Sequence, residues 1–88
     1  MANHPSAVKR HRQSLKRKAR HAAQRSRVLT TTRKLEKAIQ DKDKNAAEEL
    51  LKTAVSDVMG ARSKGTYHRN TASRKIARLH RFVNRSFS

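Results

Sequence analysis

The sequence predicts an all-α protein, an antiparallel three-helix bundle whose first helix carries a long basic N-terminal extension. Three observations lead there. β-branched alternation of period two is absent, and only two Gly and one Pro interrupt 88 residues, so strands have almost no support. Apolar residues recur at intervals of four, three and four in separate stretches, the pattern of a helix face turned to a core. Residues 1–35 hold eleven Lys and Arg and no acid, which leaves much of the first helix without an apolar face to bury.

Pro5-Ser6 opens the first helix. Ser6 can cap the free N–H groups of a helix running from about Ala7, and nothing breaks that helix until Asp41-Lys42-Asp43. At 1.5 Å per residue it is roughly 50 Å long, wider than so small a domain, so part of it must project. Val28, Thr32, Leu35 and Ile39 form a seam in its C-terminal half. The N-terminal half offers only Leu15, Ala19, Ala22 and Ala23 among its cations. The expected organisation is one domain over residues 1–88, with a projecting basic arm at 7–27 and a three-helix bundle at 28–84.

Either Asp43 or Asn45, the latter in a capping box with Glu48, can start the second helix. Its seam is Ala47, Leu51, Ala54, Val58 and Ala61, broadened by Leu50 and Val55. The helix stops near Ser63-Lys64, where Gly65 can take the left-handed C′ conformation. Gly60 inside it costs about 1 kcal/mol relative to Ala, with no evident reason unless a neighbour packs closely there. The third helix runs from roughly His68 to Asn84 on the seam Ala72, Ile76, Leu79 and Val83. Short connections between the three make neighbours antiparallel.

The core of such a bundle is thin. Leu, Ile, Val and Phe supply fifteen residues and Ala twelve, and Ala promotes helix while burying little. Against this stands a formal charge of +17, from 23 Lys and Arg and 6 Asp and Glu. All six acids, Glu36, Asp41, Asp43, Glu48, Glu49 and Asp57, lie between residues 36 and 57. Two basic segments therefore flank a near-neutral one. Solvated helix faces normally carry compensating acids; here the missing counter-charge is that of phosphate, held by Arg forks and Lys point charges.

Other chemistries are excluded for want of parts. Without Cys there is no disulfide framework, thiolate zinc site or Cys nucleophile. No Gly-rich phosphate loop, HExxH or nucleophile elbow occurs, so no enzyme and no small-molecule substrate is expected. The five His are unpaired with a second ligand on one helical face and stand among cations, so no metal or other cofactor is expected. No apolar run approaches a membrane span and the N-terminus lacks the apolar core of a secretory signal; the expectation is a cytosolic protein without a membrane partner. Tyr67, Phe82 and Phe87 are the whole aromatic inventory, too few for a surface that stacks successive unpaired bases. No dimerising heptads follow the basic region, and no homo-oligomer is expected.

The residues also resemble a known family. Met1-Ala2-Asn3, Ser6-Ala7, Lys9-Arg10 and Arg12, then Arg25-Ser26 and Arg33-Lys34, are similar to the N-terminal half of the bacterial small-subunit ribosomal protein S-twenty family. Lys64-Gly65, His68, Asn70, Ala72, Arg74, Lys75, Arg78 and Leu79 resemble its most distinctive stretch, a Lys-Gly turn leading through His and Asn into a basic helix. The likeness covers essentially the whole chain. It departs at Pro5 and Ile76, where basic residues are more usual, and at His21, where Asn is common. The resemblance implies a three-helix protein without enzymatic activity or cofactor, which binds 16S ribosomal RNA directly and early in small-subunit assembly and works in the cytoplasm, in the ribosome.

Charge layout and resemblance together predict a structural RNA-binding protein acting by charge neutralisation. The expected contacts on the first helix are Lys9, Arg10, Arg12, Lys16, Arg17, Arg20, Arg25, Arg27 and Arg33. Around the third they are Lys64, His68, Arg69, Asn70, Arg74, Lys75 and Arg78. Cations would hold phosphates, while His68 and Asn70 could reach a ribose hydroxyl or a base edge. The rival readings are a DNA-compacting nucleoid protein and a basic protein that captures acidic proteins.

Overall fold

Three helices make up the structure, a computed structural model that describes residues 5–87. They are α1 (Pro5–Gln40), α2 (Lys44–Ser63) and α3 (Arg69–Ser86). The expectations placed on Met1-Ala2-Asn3 and His4 lie outside the described residues. α1 begins one or two residues earlier than the sequence suggests, and Ser6 sits inside it rather than at its cap. Pro5 accounts for the difference: a proline at the first helical position gives up an N–H that would have no partner and brings a preset φ.

α1 and α2 end in the same way. In the turn after α1, Asp43 N donates to Ala38 O at 3.0 Å and Lys42 N to Ile39 O at 3.0 Å. After α2, Thr66 N donates to Ala61 O at 2.8 Å and Gly65 N to Arg62 O at 3.0 Å. These are two Schellman motifs, each closing the orphan carbonyls of a last turn. The left-handed residue is Lys42 in the first, at φ 57°, and Gly65 in the second, at φ 81°. α2 is capped by Asp43, whose carboxylate accepts from Ala46 N at 3.1 Å; Asn45 lies within the helix.

The core is a single layer. α1 packs against α2, and α2 against α3, while α3 scarcely touches α1. Buried residues are Val28, Thr31, Leu35 and Ala38 from α1, Ala47, Ala54, Val58 and Ala61 from α2, and Ala72, Leu79 and Val83 from α3. Half-buried Ile39, Leu50, Leu51 and Ile76 pack around them. The α1 seam is thus Val28, Thr31, Leu35 and Ala38, with Thr32 and Ile39 at its margins. Small side chains explain the turn of the helix: Ala38 faces the Ala-rich side of α2, which lets the backbones approach, and the larger Ile39 fits only at the edge. Thr31 tolerates burial because its hydroxyl has partners, Asp57 Oδ2 on α2 at 2.7 Å and Arg27 O at 3.0 Å.

Beyond the bundle α1 runs on. Residues 6–20 are exposed throughout, His21 and Gln24 are half-buried, and Val28 is the first buried residue. Gln24 Oε1 accepts from the Thr66 hydroxyl, which pins α1 to the turn after α2. The molecule measures 64 × 22 × 14 Å, elongated because α1 alone spans about 54 Å.

Candidate nucleic-acid interface

The cations of the arm are ordered by the helix they sit on. Lys9, Lys16, Arg20 and Arg27 follow at intervals of seven, four and seven and share one face. Arg10 and Arg17 precede Gln24 and Thr31 in a row of sevens, which drifts only about 20° per step. Gln24 and Thr31 are the residues that bond to the α2 side of the bundle. Arg10 and Arg17 therefore point to that same side, beyond the bundle's end. The opposite side of α1 carries exposed apolar residues, Val8 and Leu15 in the arm and Leu29 just beyond it (46%, 55% and 50%). Arg12, Arg25 and Arg33 are exposed but project in other directions.

The turn between α2 and α3 brings a second group alongside. Lys64, the exposed C-cap of α2, and Arg27 of α1 border one depression, together with Gln24 and Gly60. Hydrogen bonds of the Schellman motif shape this turn, and the side-chain contact between Thr66 and Gln24 holds it against α1, so Lys64 and Arg27 stand on neighbouring, linked elements.

His68 is the N-cap of α3. Its Nδ1 accepts from Asn70 N at 3.1 Å, which places the ring hydrogen on Nε2 and leaves a donor directed away from the cap. The imidazole thus has a structural task and an outward N–H at once. The Asn70 side chain is exposed beside it, as is Arg69.

On α3 the expected contacts divide. Arg74 and Arg78 form a row with Arg81 and Arg85 at intervals of four, three and four, the mirror image of the buried seam on the far side of the helix. Arg81 is exposed and borders the same surface as Arg78 and Phe82. It is not among the contacts expected from the sequence, although its spacing from Arg74 and Arg78 carries the signal. Lys75 stands apart. It is half-buried, with Nζ 5.0 Å from the centre of the Tyr67 ring, a cation–π contact. It also borders an open groove of about 360 Å³ that runs between α1 and α3, where the two helices stand apart. Val28, Val58 and Leu79 floor that groove.

The arrangement can neutralise phosphate on two fronts, the arm of α1 and the outer row of α3, with the Lys64–His68 turn between them. Among the described residues no cluster of His, Asp and Glu suited to a metal ion occurs, and no helix is long and apolar enough to cross a membrane.

Comparison with known proteins agrees in kind. The family described as Ribosomal protein S20 matches residues 2–84. A small ribosomal subunit protein bS20 of Ruegeria sp. is 52% identical over 79 residues, 90% of this chain and 91% of the relative. The protein of the same name from Syntrophobacter fumaroxidans is 48% identical over 84 residues, covering 96% and 98%, and that of Wolinella succinogenes is 46% identical over 83, covering 94% and 91%. With a family match along nearly its whole length and relatives at such identity, the chain belongs to the ribosomal protein S20 family, structural and non-enzymatic.

Proposed function

We propose that the protein binds 16S ribosomal RNA directly and stabilises its folding while the small subunit assembles. It works in the cytoplasm, within the ribosome. The observation that carries the reading is the separation of two acid-free cationic stretches, residues 1–35 and 58–88, by a near-neutral segment, 36–57. The arm at 7–27 presents Lys9, Lys16, Arg20 and Arg27 on one face, and α3 presents Arg74 and Arg78 on another, with the acid-bearing segment 36–57 between them in the chain. Such a shape holds backbone phosphates of separate RNA segments near each other and cancels the repulsion that keeps them apart. His68 Nε2 and the Asn70 amide, beside the turn, serve a ribose hydroxyl or base edge. The names of the relatives, all small-subunit proteins, support the same placement.

The test is binding of the full chain to folded small-subunit ribosomal RNA, with duplex DNA of equal length as competitor. A complex that forms at moderate salt and resists the competitor is expected. Equal affinity for the DNA would favour a nucleoid protein, and binding partners that persist after nuclease treatment would favour capture of acidic proteins; either outcome overturns the reading.

A further inference from the structure

We propose that the groove between α1 and α3 is a pocket for one unpaired guanine base of the bound RNA, with Glu36 reading its Watson–Crick edge; the inference rests on the RNA-binding reading above. At the groove, the divergence of α3 from α1 opens an apolar floor beside a cationic surface. Its volume of about 360 Å³ falls within the range of small-molecule clefts, roughly 300–1,000 Å³. Val28 from α1, Val58 from α2 and Leu79 from α3 line the bottom, each at most 8% exposed, so a flat aromatic ring would meet carbon on entering. Phe82 stands at the rim, 39% exposed, and its ring gives a base one stacking surface, worth having even when no second aromatic follows.

Charge selects the occupant. Lys75 and Arg78 border the groove from α3, and Arg81 continues the row beyond them. Lys75 is steadied by the Tyr67 ring, 5.0 Å from its Nζ, which limits its sweep through solvent. A base inserted here has its own phosphate, and that of the next nucleotide, within the reach of these cations. An apolar side chain of another protein would fill the floor equally well but would leave the cations unanswered and would strip water from Glu36 without replacing it.

Glu36 narrows the choice to one base. It borders the groove from α1 on the side facing Lys75 and Arg78, and among the described residues it closes no ion pair with either. An acid facing the RNA side of a +17 protein opposes binding unless it has a partner of its own. A carboxylate offers two acceptors and no donor. Guanine alone presents two parallel donors, N1–H and an N2 hydrogen, on its Watson–Crick edge. Adenine, cytosine and uracil each set an acceptor beside a single donor, and that acceptor repels the second carboxylate oxygen.

Three RNA hairpins of identical stem serve as probes: one fully paired, one with a single bulged guanosine, one with a bulged adenosine. Titrated with the full chain at fixed moderate salt, the guanosine bulge is expected to bind about tenfold tighter than the other two, the usual yield of one bidentate base contact. Glu36→Gln, at an exposed position that does not endanger the fold, should abolish that preference. Simple electrostatics predicts the opposite sign, since removal of an acid tightens RNA binding. Phe82→Ala should weaken the guanosine hairpin and leave the paired one unchanged. Equal affinity for all three hairpins, or a Glu36→Gln variant that tightens all three alike, overturns the pocket while the phosphate-binding reading stands. Failure of all three hairpins to bind overturns both.

Discussion

Lys42 and Gly65 occupy the same position of the same motif, the left-handed C′ residue of the Schellman turns that end α1 and α2, at φ 57° and 81°. Only one of them is the residue that geometry favours. A side chain in the left-handed region costs roughly 1–2 kcal/mol, because Cβ crowds the following carbonyl, whereas glycine sits there freely but loses more freedom on folding. Lys42→Gly is therefore expected to stabilise the bundle by about 0.5–1 kcal/mol and Gly65→Ala to destabilise it by about 1 kcal/mol. Thermal unfolding followed by circular dichroism reads both.

Gly60 is expected to behave differently although it too lies in α2. A Cβ built there meets nothing within 4 Å, and no positive φ requires a glycine. Among the described residues no close neighbour calls for it. Gly60→Ala should raise stability by about 1 kcal/mol through helix propensity alone, again read by thermal unfolding.

Core truncations should rank by burial and not by residue type. Leu35 is fully buried and Leu51 only half-buried. Leu35→Ala is expected to cost about 3–4 kcal/mol and Leu51→Ala about half that, on the scale of buried-leucine deletions. Equal losses in denaturant titrations would mean that α2 packs with a different face.

Amide exchange should fall into two regimes along α1. Residues 6–20 are exposed, with no packed neighbour to protect them, and a helix held by propensity among like charges opens readily. Slow exchange is expected from Gln24 to Gln40, where the Thr66 and Asp57 contacts begin. In the free protein, protection of residues 10–18 equal to that of 30–38 would refute the division.

Salt dependence tests the arm as a phosphate binder. Replacing Lys9, Lys16, Arg20 and Arg27 together by Gln should flatten the slope of log affinity against log salt by about 3, near 0.7–0.9 for each phosphate no longer neutralised. All four are exposed, so unfolding temperature should change little. An unaltered slope would assign binding to α3 and its turn.

Much of this architecture can be read from residue order. The Gly65 turn, the Asp43 cap and the seam of α3 follow from local rules that depend on a few neighbouring residues. The α1 seam differs from the expected one by a single side chain at Thr31 and again at Ala38, because periodicity ranks residues by apolarity. It cannot weigh a hydroxyl that finds Asp57 twenty-six residues away, or a small residue whose value is to let another helix approach. The candidate interface divides along the same line. Its charges are visible in composition, and their grouping follows from helical spacing. The groove is not visible at all: it exists because α3 leans on α2 and leaves α1, so Glu36 and Phe82 become neighbours of one space only after three helices are placed. Lys75 likewise reads as one more cation until Tyr67 is found beneath it.

The unbroken passage of α1 from bundle to arm makes it a shaft, and a shaft fixes rotation as firmly as distance. One residue inserted between Arg20 and Gln24 would advance the arm by only about 1.5 Å yet swing its charges through about 100° relative to the core. Seven would lengthen the reach by roughly 10 Å and return them to within about 20° of their former bearing. The number of residues between Arg20 and Gln24 is thus an angular setting for the exposed stretch 6–20, and evolution can change the reach of that stretch cheaply only in whole heptads.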